Sequence, residues 1–176
     1  MGAPMLLHAL EQSTPNSESG GESGLRSNTH GVKMKLGIVG HGQEKFTPET
    51  ELKARRAIGG AILRYWPTYV VSGHSPMGGV DLYAEEEAYR REFPTIIHAP
   101  IVHQWDGPGG FRDRNLKIAA ESDLILVVVV RELPHDFQGM RFEGECYHCR
   151  GRVPPHVKSG GCWTAWKAKE REWVII

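Results

Sequence analysis

The succession of short apolar runs and helical stretches predicts an α/β fold: a Rossmann-like open parallel sheet of about five strands, with helices on both faces and a Cys/His-rich insert before the last helix. Three observations carry that expectation. From residue 34 onward, β-rich runs alternate with segments of helical periodicity. The fourth run, Asp123–Val130, is apolar without alternation, as a strand covered on both faces must be. Glycine clusters follow the first, second and fourth runs, at the carboxyl edge where such sheets place ligands.

Taken in order, Met34–Val39 is the first strand, and Gly40-His41-Gly42 turns it over. Thr47 caps the first helix, Pro48 suits its first position, and Glu49 and Glu51 favour its positive end. Leu52, Ala57, Ile58, Ala61, Ile62 and Tyr65 form its expected apolar face, and Pro67 ends it. Thr68–Ser72 is the second strand, residues 80–93 the second helix and Thr95–Ala99 the third strand. A Pro/Gly-rich loop, 100–110, leads to a helix over 111–122 with Leu116, Ile118 and Ala119 inward. After the fourth strand, residues 131–158 lack periodicity and are too long for a plain connection. Gly161–Arg171 is the last helix and Glu172–Ile176 the last strand.

Residues 1–32 read as a disordered tail ahead of a single domain over 33–176, because a Ser/Gly/Asn/Glu-rich segment has little to bury. Met5, Leu6 and Leu7 lack a preceding basic cluster and make a poor signal peptide. The longest apolar run, Leu124–Val130, is far shorter than a membrane span, so no membrane partner is expected. Lys+Arg and Asp+Glu are both 21, which removes the overall basic field of a nucleic-acid-coating protein. Three late cysteines make no secreted disulfide framework and suit a reduced, cytoplasmic setting. Homo-oligomerisation is left open.

Three segments carry the functional signal: Gly37-Ile38-Val39-Gly40-His41-Gly42, Ser72-Gly73-His74-Ser75-Pro76-Met77-Gly78-Gly79-Val80-Asp81, and Ser159-Gly160-Gly161-Cys162-Trp163-Thr164. Small residues there let a ligand approach the backbone, and a helix start offers N–H groups to an anion. Ser-Gly, four residues, then Gly-Gly-Val-Asp and an acidic helix resembles the SLOG superfamily. That group joins the DNA-processing protein A domain to the "lonely guy" phosphoribohydrolases. Phe111-Arg112-Asp113-Arg114-Asn115 before the fourth strand is similar to that family's Arg-bearing segment, and Ser159–Thr164 to its phosphate loop.

The resemblance implies a Rossmann-like fold that binds a nucleotide or nucleoside monophosphate. The nucleotide-binding residues would be Gly40, His41, Gly42, Ser72, Gly73, Gly78, Gly79, Asp81, Arg114, Asn115, Ser159, Gly160, Gly161 and Thr164. Lys167 stands where the family has its catalytic Glu, and Asn115 where it has Lys. Binding is therefore the first expectation, and hydrolysis of an N-glycosidic bond the alternative, with Asp81 and Arg114 as catalytic residues. Arg114 suits a phosphate clamp by its fork geometry; Asp81 suits a ribose-binding group or a general base. Glu85 and Glu86 read as a solvated helix face.

The insert carries a second signal. Cys146-x2-Cys149-x6-His156-x5-Cys162 supplies soft ligands for one tetrahedral zinc, with His148 as a substitute for His156. A metal would also organise a segment that has no periodic pattern. A further alternative is a nucleic-acid-binding module with a zinc-held insert as its reader; only Arg150, Arg152 and Lys158 give it a basic stretch.

Overall fold

A computed structural model of the chain describes residues 33–139 and 146–176. The expected tail over 1–32 and the middle of the insert lie outside the described residues. The elements are β1 (Lys35–Gly40), a 3-10 turn (Gln43–Lys45), α1 (Pro48–Tyr65), β2 (Tyr69–Ser72), α2 (Val80–Arg90), β3 (Thr95–Ile97), α3 (Phe111–Glu121), β4 (Leu124–Val129), α4 (Gly160–Ala165) and β5 (Glu170–Ile175). All strand pairs are parallel, and the sheet order is β3-β2-β1-β4-β5. This is the predicted α/β architecture. No helix of the described residues is long and apolar enough to cross a membrane.

The core forms two layers. On one face, Leu36, Ile38, Val70, Leu126 and Val128 meet Ile58 and Ile62 of α1 and Tyr83 of α2. On the other, Val39, Val71, Ile125, Val127 and Val129 meet Ile118 of α3 and Ala165 of α4, together with all three cysteines. Burying both faces of β4 explains why its sequence does not alternate.

Local chemistry sets most element ends. Thr47 and Thr50 cap each other reciprocally: the Thr50 N–H donates to Thr47 Oγ1 at 3.2 Å, and the Thr47 N–H to Thr50 Oγ1 at 2.8 Å. α1 ends on Trp66 in the left-handed region, φ 46°, ahead of Pro67. α2 stops three residues before the expected Phe93, because Pro94 disfavours helix at the residue before it and Glu92 turns left-handed at φ 59°.

Two expected faces are shifted. Leu52 and Leu116 are exposed, while Ala54 and Asn115 point inward. Counting back by three or four from the buried Ile58 and Ile118 lands on Ala54 and Asn115, so helical phase overrides hydrophobicity. α4 is also shorter than expected. β5 begins at Glu170 to keep register with Leu124, and the chain must leave the helix before that point.

β1 and β4 are neighbours, but their connections leave in opposite directions, so a crevice opens between them at the carboxyl edge. His41 closes its floor. Its buried ring accepts the Val130 N–H at Nδ1, 3.1 Å, and places Nε2 at 3.1 Å from both the Val157 and Lys158 carbonyls. Those partners require the neutral tautomer with the proton on Nε2. The imidazole thus ties the loop after β1 to both ends of the long connection after β4.

Burial, with a smaller contribution from Lys45, lowers the His41 pKa from 6.5 to about 3. The unfolded chain therefore takes up the proton first. The stability contributed is whole above pH 6.5 and falls as pH drops towards 3, by up to about 1.4 kcal/mol per pH unit. In urea titrations between pH 6.5 and 5, His41→Gln is expected to show a slope shallower than wild type by close to one proton. Parallel slopes would show that His41 is not held neutral.

Candidate functional site

The crevice between β1 and β4 is a cleft of about 260 Å³. The structure brings eight of the predicted residues to its wall: Gly40, His41, Gly42, Arg114, Asn115, Ser159, Gly160 and Gly161. Ser72, Gly73, Gly78, Gly79, Asp81 and Thr164 do not line it. His41 lines the cleft, but its two ring nitrogens and its backbone N–H and carbonyl are all committed to partners within the fold.

At the wall, Asp81 and Arg114 form a largely buried ion pair, their side chains 7% and 12% exposed. Arg114 Nη1 donates to Asp81 Oδ2 at 2.8 Å and to the Gly73 carbonyl at 2.9 Å, and its Nε donates to Asn115 Oδ1 at 3.0 Å. Gly73 leaves the room for this, because a Cβ there would sit 2.5 Å from Arg114 Nη1. Burial raises the Asp81 pKa, and the Arg114 guanidinium counteracts it. Arg114 is therefore not the exposed surface arginine that a helix start suggests. It is held by a carboxylate and still reaches the cleft. Asp81 is spent on that role and does not face the space a ligand would fill.

Ser72, expected as a ligand contact, donates its one hydroxyl proton to Glu85 Oε1 at 2.7 Å, with the Asp81 carbonyl 3.0 Å from the same oxygen. Glu85 also meets His74 Nδ1 at 2.7 Å, so it is not merely a solvated charge.

The α4 start differs from a phosphate loop in detail. Ser159 Oγ accepts the Gly161 N–H at 3.0 Å, and the Thr164 hydroxyl donates to the Gly160 carbonyl at 3.0 Å. Thr164 and the Gly161 amide are thus engaged within the helix. Gly161 is small because α4 packs onto β1: a Cβ there would lie 2.8 Å from the Gly40 nitrogen. Part of the glycine signal in the sequence therefore records the close packing of α4 on β1.

Next to the cleft lies a larger cavity of about 710 Å³, lined by Lys45, Trp105, Tyr147, His148, Lys158, Gly160 and Trp163. Lys45, Trp105 and Gly160 belong to both spaces. Glu44 lies on the cleft rim with its carboxylate 3.9 Å from Lys45 Nζ. Sequence reasoning missed Glu44, Lys45, Trp105 and Tyr147. The available signal was aromatic residues in segments with no periodic place for them.

Cys146, Cys149, His156 and Cys162 come together. One ligand atom from each lies within 4.8 Å of all the others, and all four residues are buried. The three cysteines are unpaired by disulfides. His156 Nδ1 lies 2.7 Å from the Pro154 carbonyl and must donate to it, which leaves the Nε2 lone pair facing sulfur. Nε2 is 3.2 Å from Cys162 Sγ and 3.5 Å from Cys149 Sγ. A carbonyl partner on the far nitrogen is the usual support of a metal-bound imidazole.

Cys146 is the most acidic thiol, lowered to about 4 by a hydrogen bond from Cys162 and by the backbone N–H groups of Ser159, His148 and Cys149, against the opposing effect of burial. The Cys162 thiol, donating to Cys146 and buried, is pushed up, and burial pushes Cys149 up. The buried indole N–H groups of Trp166 and Trp173 complete no hydrogen bond, yet they face Cys149 and Cys162 closely enough to favour their thiolates. The group is thus a compact candidate metal centre with polar support behind its ligands.

Removing one member of a buried ion pair leaves the other uncompensated, at a cost of about 3–5 kcal/mol. Arg114→Ala is expected to lose that much stability in urea titrations, and Asp81→Leu combined with Arg114→Met to recover most of it. A small loss for the single variant would place Arg114 outside the fold's essential contacts. No protein-family model matches the chain and no curated protein is detectably similar to it, so its function must be read from this geometry.

Proposed function

We propose that the chain binds a nucleotide or phosphorylated nucleoside at the carboxyl edge of its sheet, and that Cys146, Cys149, His156 and Cys162 hold one zinc ion. The observation that carries the first part is the cleft at the point where strand order reverses, walled by loops from β1, β2 and β4 and furnished with Arg114 and Lys45. Arg114 is preorganised by Asp81, so it loses little side-chain freedom when an anion arrives. The SLOG resemblance of the glycine segments points the same way. Binding is favoured over N-glycosidic hydrolysis because the Asp81 carboxylate is paired with Arg114 and does not line the cleft.

The zinc reading rests on donor chemistry. Three thiols and one imidazole make a closed, soft, four-ligand set. Bonds of about 2.3 Å to sulfur and 2.0–2.1 Å to nitrogen give a tetrahedron with edges of about 3.5–3.8 Å. The His156-to-sulfur distances of 3.2 and 3.5 Å are near those edges. When bound, zinc would keep the thiols deprotonated and clamp the long connection onto α4. With no position left open, the centre would be structural.

Elemental analysis of protein purified without chelator is expected to find one zinc per chain. Co2+ in its place should give the strong visible absorption of tetrahedral thiolate coordination, lost in Cys149→Ser. Less than about 0.2 metal ion per chain would remove the zinc reading. For the ligand, calorimetric titration with nucleoside monophosphates is expected to show saturable binding, with the nucleotide recovered intact. Lys45→Ala should weaken it by about 1.5–3 kcal/mol, the range for a charged hydrogen bond. Absence of binding to every nucleotide would overturn the proposal, and release of free base would shift it to hydrolysis.

A further inference from the structure

The inner cleft, about 260 Å³, falls short of the roughly 300–1,000 Å³ typical of small-molecule sites. A nucleotide whose phosphate reached Arg114 would extend out of it. Two other hollows touch the cleft at one residue each, Lys45 and Arg114, whereas three shared residues, Trp105, Gly160 and Lys45, join it to the adjoining cavity of about 710 Å³. That cavity is ringed by aromatic side chains. Trp105 and Trp163 meet edge to face with ring centroids 5.4 Å apart, and Tyr147 leans on His148 at 4.2 Å. Trp105 is 42% exposed and Tyr147 61% exposed, so both present ring surface to whatever enters.

Two of these rings are chain neighbours of candidate metal ligands. Tyr147 follows Cys146, and Trp163 follows Cys162. The buried Cys/His centre therefore sets the positions of two aromatic walls on the opening of the cleft. Lys158 Nζ lies 4.6 Å from the Tyr147 ring centroid and adds positive charge on the same rim.

We infer that this outer cavity is the subsite for a planar heteroaromatic ring, the base of the ligand, with the Cys/His centre holding the walls that grip it. The inference rests on the nucleotide reading above and assigns that ligand's two ends: phosphate inward at Arg114 and Lys45, base outward among Trp105, Tyr147 and Trp163. Rings stacked on a base are tolerant of its identity, because every base has a π face, so discrimination among bases is expected to be modest.

The test compares two probes on the full, metal-replete chain: a nucleoside monophosphate and ribose 5-phosphate, which lacks the base. Wild type is expected to bind the nucleotide at least tenfold more tightly. Tyr147→Ala and Trp105→Ala should each reduce nucleotide affinity about tenfold and leave ribose 5-phosphate within about twofold, as loss of stacking requires. Tyr147 is largely exposed, so its variant keeps the comparison valid even if Trp105→Ala perturbs the 100–110 loop. Equal affinity of wild type for both probes would overturn the base subsite while leaving the phosphate site standing. Parallel losses for both probes in the Tyr147 variant would overturn it too. Binding of neither probe to wild type would instead defeat the nucleotide reading, and the subsite with it.

Discussion

Gathering three cysteines and a histidine around one point is the constraint on which the carboxyl edge of this molecule depends. The connection after β4 has no periodic apolar pattern, and it meets the core at scattered points such as Leu133 and Val157 rather than along a face. Cys146 and Cys149 insert into the core layer formed by Val127, Val129 and Ile118, beside Cys162 of α4. The Cys-x-x-Cys turn is thus pinned to a helix, and the helix to β1 through the close approach of Gly161 to Gly40. His41 completes the clamp from the opposite side, binding both ends of the same connection with one neutral ring.

Two devices shape the cleft that results, and both rest on burying polar groups only with partners. The Asp81–Arg114 pair fixes a guanidinium at the wall, and its desolvation is offset by a carboxylate, a backbone carbonyl and an amide side chain. The Ser72–Glu85–His74 chain braces the loop after β2 beside it. His74 sits at φ 46°, a backbone conformation that side chains rarely adopt and that this bracing maintains. Rigid walls of this kind reduce the ordering cost of a ligand, which matters more for affinity than the area it buries.

Much of this was legible along the chain, and the reasons are local. The unbroken apolar stretch of β4 suggests a strand covered on both faces. Thr47-Pro48 offers a cap and a first helical position, and the Cys/His spacing is a ligand pattern independent of the fold around it. Where the structure departs from the pattern, the reason is equally physical. Hydrophobicity alone places Leu116 inside, yet helical phase puts Asn115 there, and Asn115 holds Arg114. The last helix looked longer because its residues tolerate helix, but pairing with β4 claimed Glu170 and Arg171 for the sheet.

The sequence by itself determined the alternation of strands and helices, the places where glycine was needed and the metal-ligand candidates up to the choice between His148 and His156, because each depends on residues close together in the chain or on side-chain chemistry alone. Only the tertiary structure decided that Asp81 is spent on Arg114 and that aromatic residues from three separate segments ring one cavity. Those outcomes turn on which donor finds which acceptor across 33 residues or more, as Arg114 finds Asp81, or on which side chains the sheet order brings to one edge. Chain spacing carries no record of that, because the free energy of such contacts exists only once the intervening elements have packed.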